Sequence, residues 1–178
     1  MMNYHFSFII KMVKRYSLSD NRNVVVNKRD GDTFVTIAEE GANHKTITFP
    51  SKRWAYFITL IVQIEESLHQ LAARQHVFLN LHIGGGCYVS VTTGFQCVDL
   101  RYFYFNQGPK PTKKGIALRI SECYILKDLI PVINKNHPTL ASAQPCYLQE
   151  DHLNQEGALR CNECNPFHYE NMLQTNFS

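Results

Sequence analysis

Four residues near the C-terminal end have the types and spacing that bind a metal. Cys146, His152, Cys161 and Cys164 form a Cys-x5-His-x8-Cys-x2-Cys array, with His168 four residues further on. A Cys-x2-Cys pair sets two thiolates on one tight turn, and a third cysteine with a histidine completes the tetrahedral set that zinc prefers. The array predicts a structural zinc site, which would order a segment lacking a core of its own. The plain alternative is a few unrelated buried thiols, since the array contains a single close pair.

A second group is cationic. Between Asp99 and Glu122 the chain has no acidic residue, yet Arg101, Lys110, Lys113, Lys114 and Arg119 all fall there. Between Glu40 and Glu65 the acids are again missing while Lys45, Lys52 and Arg53 are present. Such windows fit a surface that meets phosphates, although basic residues also serve simply to solvate strand ends. No catalytic constellation accompanies them, so the expectation is a protein that is not an enzyme. A zinc deaminase needs His-x-Glu and Pro-Cys-x-x-Cys, whereas Leu153 and Asn154 follow His152 and Arg160 precedes Cys161. Gly84-Gly85-Gly86 is followed by no Lys-Ser/Thr, which argues against a phosphate loop.

The composition sets outer bounds. The 178 residues are 44% hydrophobic and 19% charged with net charge +3, which places the chain among globular proteins of one good-sized domain or two small ones. No apolar run approaches the roughly 20 residues of a membrane-spanning helix. Near the start, Phe6 to Ile10 is the sole apolar stretch, and Lys11, Lys14 and Arg15 lie on the wrong side of it for a secretory signal. The six cysteines are therefore expected as reduced thiols of an intracellular protein without a membrane partner.

The elements that must position these residues read as one pattern given twice. Val24-Val25-Val26 and Thr33 to Ile37 predict a hairpin around Gly31, and Lys45 to Phe49 a third strand. Pro50-Ser51 opens a helix, with Ser51 as N-cap and Trp54, Phe57, Ile58, Ile61, Ile64 and Leu68 as its apolar stripe. In the second half, His76 to Ile83 and Tyr88 to Val91 read as one long strand broken by the triple glycine, a sign of a bulge or sharp bend. Gln96 to Phe105 follows as a strand, Asn106 to Lys113 as a loop, and Gly115 to Leu118 as a short strand. Ser121 opens a second helix with Cys123, Leu126, Ile130 and Ile133 as its stripe, ended by Asn136-His137-Pro138.

Ile83-Gly84 through Tyr88-Val89-Ser90-Val91, then Val98-Asp99-Leu100-Arg101, then Lys110-Pro111-Thr112-Lys113-Lys114-Gly115-Ile116-Ala117-Leu118, resemble the C-terminal domain of the transcriptional coactivator called positive cofactor four. Leu126-Lys127 matches the family's helix, and the likeness covers roughly residues 78 to 135. The first half is similar more faintly: Gly31 falls at the turn glycine, Lys45 to Phe49 at the last strand, and Trp54 at the helix tryptophan, where Cys123 stands in the second half.

This resemblance implies an α+β fold of two antiparallel β-sheet-plus-helix repeats paired as an intramolecular pseudo-dimer; beyond it, Pro138, Pro145 and Pro166 and the lack of a strand pattern predict an irregular C-terminal tail. The implied divisions are residues 1–75, 76–137 and 138–178; a true homodimer is the second architecture. It implies non-sequence-specific binding of single-stranded DNA, with RNA left open, by a nuclear coactivator or regulator that meets the transcription machinery. Lys110, Lys113, Lys114 and Arg101 would meet phosphates, Tyr104 and Phe95 would stack on bases, and Lys28, Arg29, Lys45, Lys52 and Arg53 would extend the path through the first half. The family's basic residues after Ile-Gly are replaced here by Gly85 and Cys87. The alternative reading is a protein-interaction adapter with a zinc-stabilised tail that has lost DNA binding.

Overall fold

The computed structural model describes residues 13–42, 44–152 and 155–168. The apolar stretch Phe6 to Ile10 lies outside them. Two four-stranded antiparallel sheets, each followed by helix, are built in chain order: β1 (Lys14–Ser19), β2 (Arg22–Arg29), β3 (Asp32–Glu39) and β4 (Lys45–Pro50), then β5 (Phe78–Gly84), β6 (Cys87–Thr92), β7 (Cys97–Phe105) and β8 (Pro109–Arg119). Helices α1 (Ser51–Thr59) and α2 (Ile61–Ala72) follow the first sheet, and α3 (Ile120–Asn136) follows the second. Among the described residues the tail holds short pieces: α4 (Pro138–Ala141), two 3-10 turns at Cys146–Leu148 and Glu150–His152, and α5 (Gln155–Arg160).

Alternation along the strands gives each sheet one apolar face. Val24, Val26, Val35, Ile37, Ile47 and Phe49 of the first sheet are buried, as are Val89, Val91, Val98, Leu100, Ile116 and Leu118 of the second. The helical stripes fill the space between, with Trp54, Phe57, Ile64 and Leu68 on one side and Cys123, Leu126, Ile130 and Ile133 on the other. All of these belong to one continuous core. The packing is reciprocal. Helix α1 lies on its own β3 and β4 and on β5 of the other sheet, α2 reaches β6, and α3 lies on β7 and β8 and on β1. Strands β4 and β8, the last of each sheet, meet along a seam. A face of each half thus meets the matching face of the other, the self-complementary arrangement of a two-fold dimer within one chain.

Four local expectations are corrected. Strand β1 adds a fourth strand to the first sheet; its only buried positions are Tyr16 and Leu18, too short an alternation to announce itself. The triple glycine lies not inside a strand but at the β5–β6 hairpin, where Gly84 pairs with Cys87. The segment after Asn106 is not a loop through Lys113, because Pro109 already begins β8 and pairs with Phe105. The first helix breaks at Leu60, and its N-cap is Pro50, with Ser51 already helical and no side-chain cap.

Candidate nucleic-acid interface and metal centre

The lysine segment runs along β8, on the seam between the sheets. Lys113 and Lys114 are both exposed and fall where the β7–β8 register shifts, between the Arg101–Gly115 and Phe103–Pro111 pairs. Lys113 enters a hollow of about 330 Å³ that it shares with Arg101 of β7, Arg22 of β2 and Lys45 of β4. Cations from both halves therefore converge at the seam. Lys110 stands across from Tyr104 in the β7–β8 register, and both are exposed. Phe95, in the turn before β7, is 66% exposed and borders a second outer hollow. Among the described residues, none of Lys28, Lys45, Lys52, Lys110, Lys113 and Lys114 forms an ion pair.

The arginines are engaged. Arg101 donates from Nε and Nη2 to the two Asp99 oxygens at 2.8 and 2.9 Å and from Nη1 to the Thr112 carbonyl at 2.8 Å. Arg22 binds Glu39 and Glu122, and the Glu122 carboxylate also accepts from the Ser19 hydroxyl and the Arg119 N–H. Burial alone would raise the Glu122 pKa, but these donors and the Arg22 charge outweigh it and hold the carboxyl below its ordinary value. Lys28 and Arg29 lie at the far end of β2, where the Arg29 guanidinium covers the Phe34 ring at 5.7 Å. Lys52 lines a separate cleft of about 390 Å³ with Tyr56, Cys146, Tyr147 and Cys164.

Arg53 is placed inside the molecule rather than toward solvent. It is 8% exposed and pairs with both oxygens of Glu163, Nε at 2.7 Å and Nη2 at 2.8 Å. Its Nη1 donates to the Tyr102 hydroxyl at 3.0 Å, and that hydroxyl donates to the Thr48 carbonyl at 3.2 Å. One guanidinium so joins the first half, the second half and the tail. Arg53 and Glu122 are each the third residue of their helix, and each reaches across to the other half.

Glu163 sits in the turn between Cys161 and Cys164, and the Gly85 N–H donates to its carbonyl at 2.7 Å. This docking accounts for the hairpin glycines. A Cβ on Gly84 would stand 2.2 Å from a Glu163 carboxylate oxygen, and one on Gly85 would stand 2.0 Å from Arg53 Nη2. Both also have positive φ, +119° and +55°.

The ligand atoms of Cys146, His152, Cys161 and Cys164 all lie within 4.8 Å of one another, so the cluster could hold a metal ion. Cys146 Sγ is 3.7 Å from both His152 Nε2 and Cys161 Sγ. A tetrahedron with metal–sulfur bonds of about 2.3 Å has edges of about 3.8 Å, so the donor set fits such a centre. His152 Nδ1 meets the Asp151 carboxylate at 2.7 Å, the outer contact that orients a ligating imidazole. Burial works to raise the Cys161 thiol, yet the N–H groups of Cys164 and Glu163 and the His152 ring bring it down to about 7. Burial and the neighbouring thiols push Cys146 and Cys164 upward. Cys87 and Cys123 are packing residues, their thiols raised by burial to about 12 and about 11.

The residues that sequence reasoning did not reach are Arg22, Asp99, Tyr102, Glu122 and Glu163. No spacing marks Arg22, Tyr102, Glu122 or Glu163, because each acquires a partner from another part of the chain, while Asp99 takes Arg101, two residues further along its own strand. No protein-family model matches the chain, and no curated protein matches it. Among the described residues no helix is long and apolar enough to cross a membrane.

Proposed function

We propose that the chain binds single-stranded DNA without strong sequence preference and acts in the nucleus as a transcriptional coactivator or regulator. The observation that carries this reading is the seam, where lysines of both sheets open on one hollow and exposed rings stand on the adjoining strand and turn. Single strands are held by cations along the backbone and by aromatic faces under the bases, each stack contributing about 1–3 kcal/mol. Lys110, Lys113, Lys114 and Lys45 supply unpaired ammonium groups, and Tyr104 and Phe95 supply the rings. Arg101, tied to Asp99, shapes the floor more than it adds charge. The likeness of Lys110 to Leu118 to the coactivator segment supports the link to transcription. No chemistry beyond binding is assigned.

Zinc is the metal we assign to the tail. Three thiolates and one imidazole close a four-coordinate centre and leave no open position for a reacting water, as in structural sites. Its bond energy would be folding energy for a segment built of short helical pieces.

The test is anisotropy of a labelled oligonucleotide as salt is varied. Each phosphate contact on a single strand contributes about 0.7 to the slope of log K against log salt. Changing Lys110, Lys113 and Lys114 together to Ala should reduce that slope by about 2 and weaken binding at low salt. An unchanged slope would reject the site. Capture of a protein partner with no oligonucleotide binding would favour the adapter, and tighter binding of the matching RNA would move the ligand class.

A further inference from the structure

Two hollows on the outer face of the second sheet share a wall. The first, about 270 Å³, is bordered by Phe95, Ser90, Cys97 and Asp99, with Arg101 and Ala117 on its far side. The second is the seam hollow of about 330 Å³, and Arg101 and Ala117 border it as well. One is rimmed by an aromatic ring. The other holds the unpaired ammonium groups of Lys45 and Lys113. Neighbouring seats of this kind, one for a flat ring and one for an oxyanion, have the chemistry of a single nucleotide.

We propose that the two hollows together seat one nucleotide of a bound strand, its base against Phe95 and its phosphate between Lys45 and Lys113. The proposal rests on the strand-binding reading and adds a position and a preference to it. A pocket of about 300 Å³ is at the small end of ligand sites, enough for one ring system. The polar edge of the base hollow is Asp99. Each of its oxygens accepts one hydrogen bond from Arg101 and retains a further lone-pair direction. A carboxylate there accepts from the exocyclic amino group of cytosine, adenine or guanine, whereas thymine offers only its N3–H, flanked by two carbonyl oxygens that a carboxylate repels. Arg101 uses three of its five N–H donors, two on Asp99 and one on the Thr112 carbonyl, so the wall is fixed before any ligand arrives. Placing the phosphate between Lys45 and Lys113 also makes the seat a property of both halves, since one lysine comes from each sheet.

The test is an amide NMR titration of the full chain with deoxycytidine monophosphate, thymidine monophosphate, deoxycytidine and inorganic phosphate. Deoxycytidine monophosphate should shift amides at both hollows, deoxycytidine those near Phe95 and Cys97, and phosphate those near Lys45 and Lys113. Thymidine monophosphate should bind about ten-fold more weakly, because the repulsion of its two carbonyls offsets the hydrogen bond its N3–H could give to the carboxylate. Phe95→Ala should weaken deoxycytidine monophosphate about ten-fold through the lost stack. Lys45→Ala should weaken phosphate and the nucleotide and spare deoxycytidine. Both side chains are exposed, so neither change threatens the fold. A tetramer of deoxycytidylate should bind more tightly than the monophosphate; the reverse order would make this a free-nucleotide site and overturn the strand assignment. Equal binding of the two monophosphates, or shifts at neither hollow, would overturn the seat. If oligonucleotides still bind through Lys110, Lys113 and Lys114 in that case, the strand-binding reading stands alone; if they do not bind at all, both fall.

Discussion

Replacing Glu163 by Gln leaves the Arg53 guanidinium without its carboxylate. Arg53 is 8% exposed and both of its contacts to Glu163 are shorter than 3 Å, so this is a buried pair and not a surface one. Breaking a buried pair by removing one partner costs about 3–5 kcal/mol, most of it the penalty of an uncompensated charge. Glu163 itself is 23% exposed, so water reaches part of the gap and the low end, about 3 kcal/mol, is the better figure. The loss has a ceiling: once it exceeds the free energy that docks the Cys161–Cys164 turn, the turn lifts away and Arg53 regains water. The reporter is therefore local. The Gly85 N–H, bonded to the Glu163 carbonyl at 2.7 Å, should exchange about 100-fold faster in Glu163→Gln, while amides in β2 and β3 keep their protection. Adding Arg53→Met should restore part of the loss, because an apolar side chain needs no partner. Unchanged Gly85 exchange in the single variant would refute the clamp.

Two further outcomes follow from the same contacts. Purified protein should carry one zinc per chain, and its removal by a chelator should speed Gly85 exchange as Glu163→Gln does while both sheets keep their circular dichroism; slow Gly85 exchange without metal would separate the centre from the clamp. Glu122, held below its ordinary pKa by Arg119, Ser19 and Arg22 against the effect of burial, stabilises the fold fully above the unfolded value of about 4.3. That contribution is lost as pH falls through the lower folded value, because the unfolded chain takes up the proton first. Glu122→Gln should therefore cost about 1–3 kcal/mol at neutral pH and flatten the acid limb of a stability–pH curve measured by urea unfolding; an acid limb as steep as that of the parent would count against the assignment.

The repeat was legible because periodicity records burial. Alternation at Thr33 to Ile37 and Lys45 to Phe49, and the three-four spacing from Trp54 to Leu68, are direct imprints of one-sided burial, and the structure buries those faces. Trp54 and Cys123 stand at matching places of the two repeats, and both are the fourth residue of a helix and buried. The Cys/His cluster was legible for a related reason, since a Cys-x2-Cys turn fixes two donors by its own backbone geometry. Strand β1 was not, because two buried positions make too short a pattern. The length of β8 was missed because Pro109 and Pro111 read as loop residues, yet the strand lies at a sheet end next to a seam, where missing N–H groups are tolerated.

What sequence could not supply was the commitment of each charge. Arg53 and Lys52 are neighbours of the same sign in the same acid-free window, and one is buried against Glu163 while the other faces solvent. Local sequence sets which residues form a strand or a helix, because those preferences act over a few bonds. Whether a cation is free to meet a phosphate depends on which carboxylate folds against it, and Glu163 is 110 residues away from Arg53 along the chain. Only the closed tertiary structure brings them within 3 Å, and with that contact it decides which charges remain for a ligand.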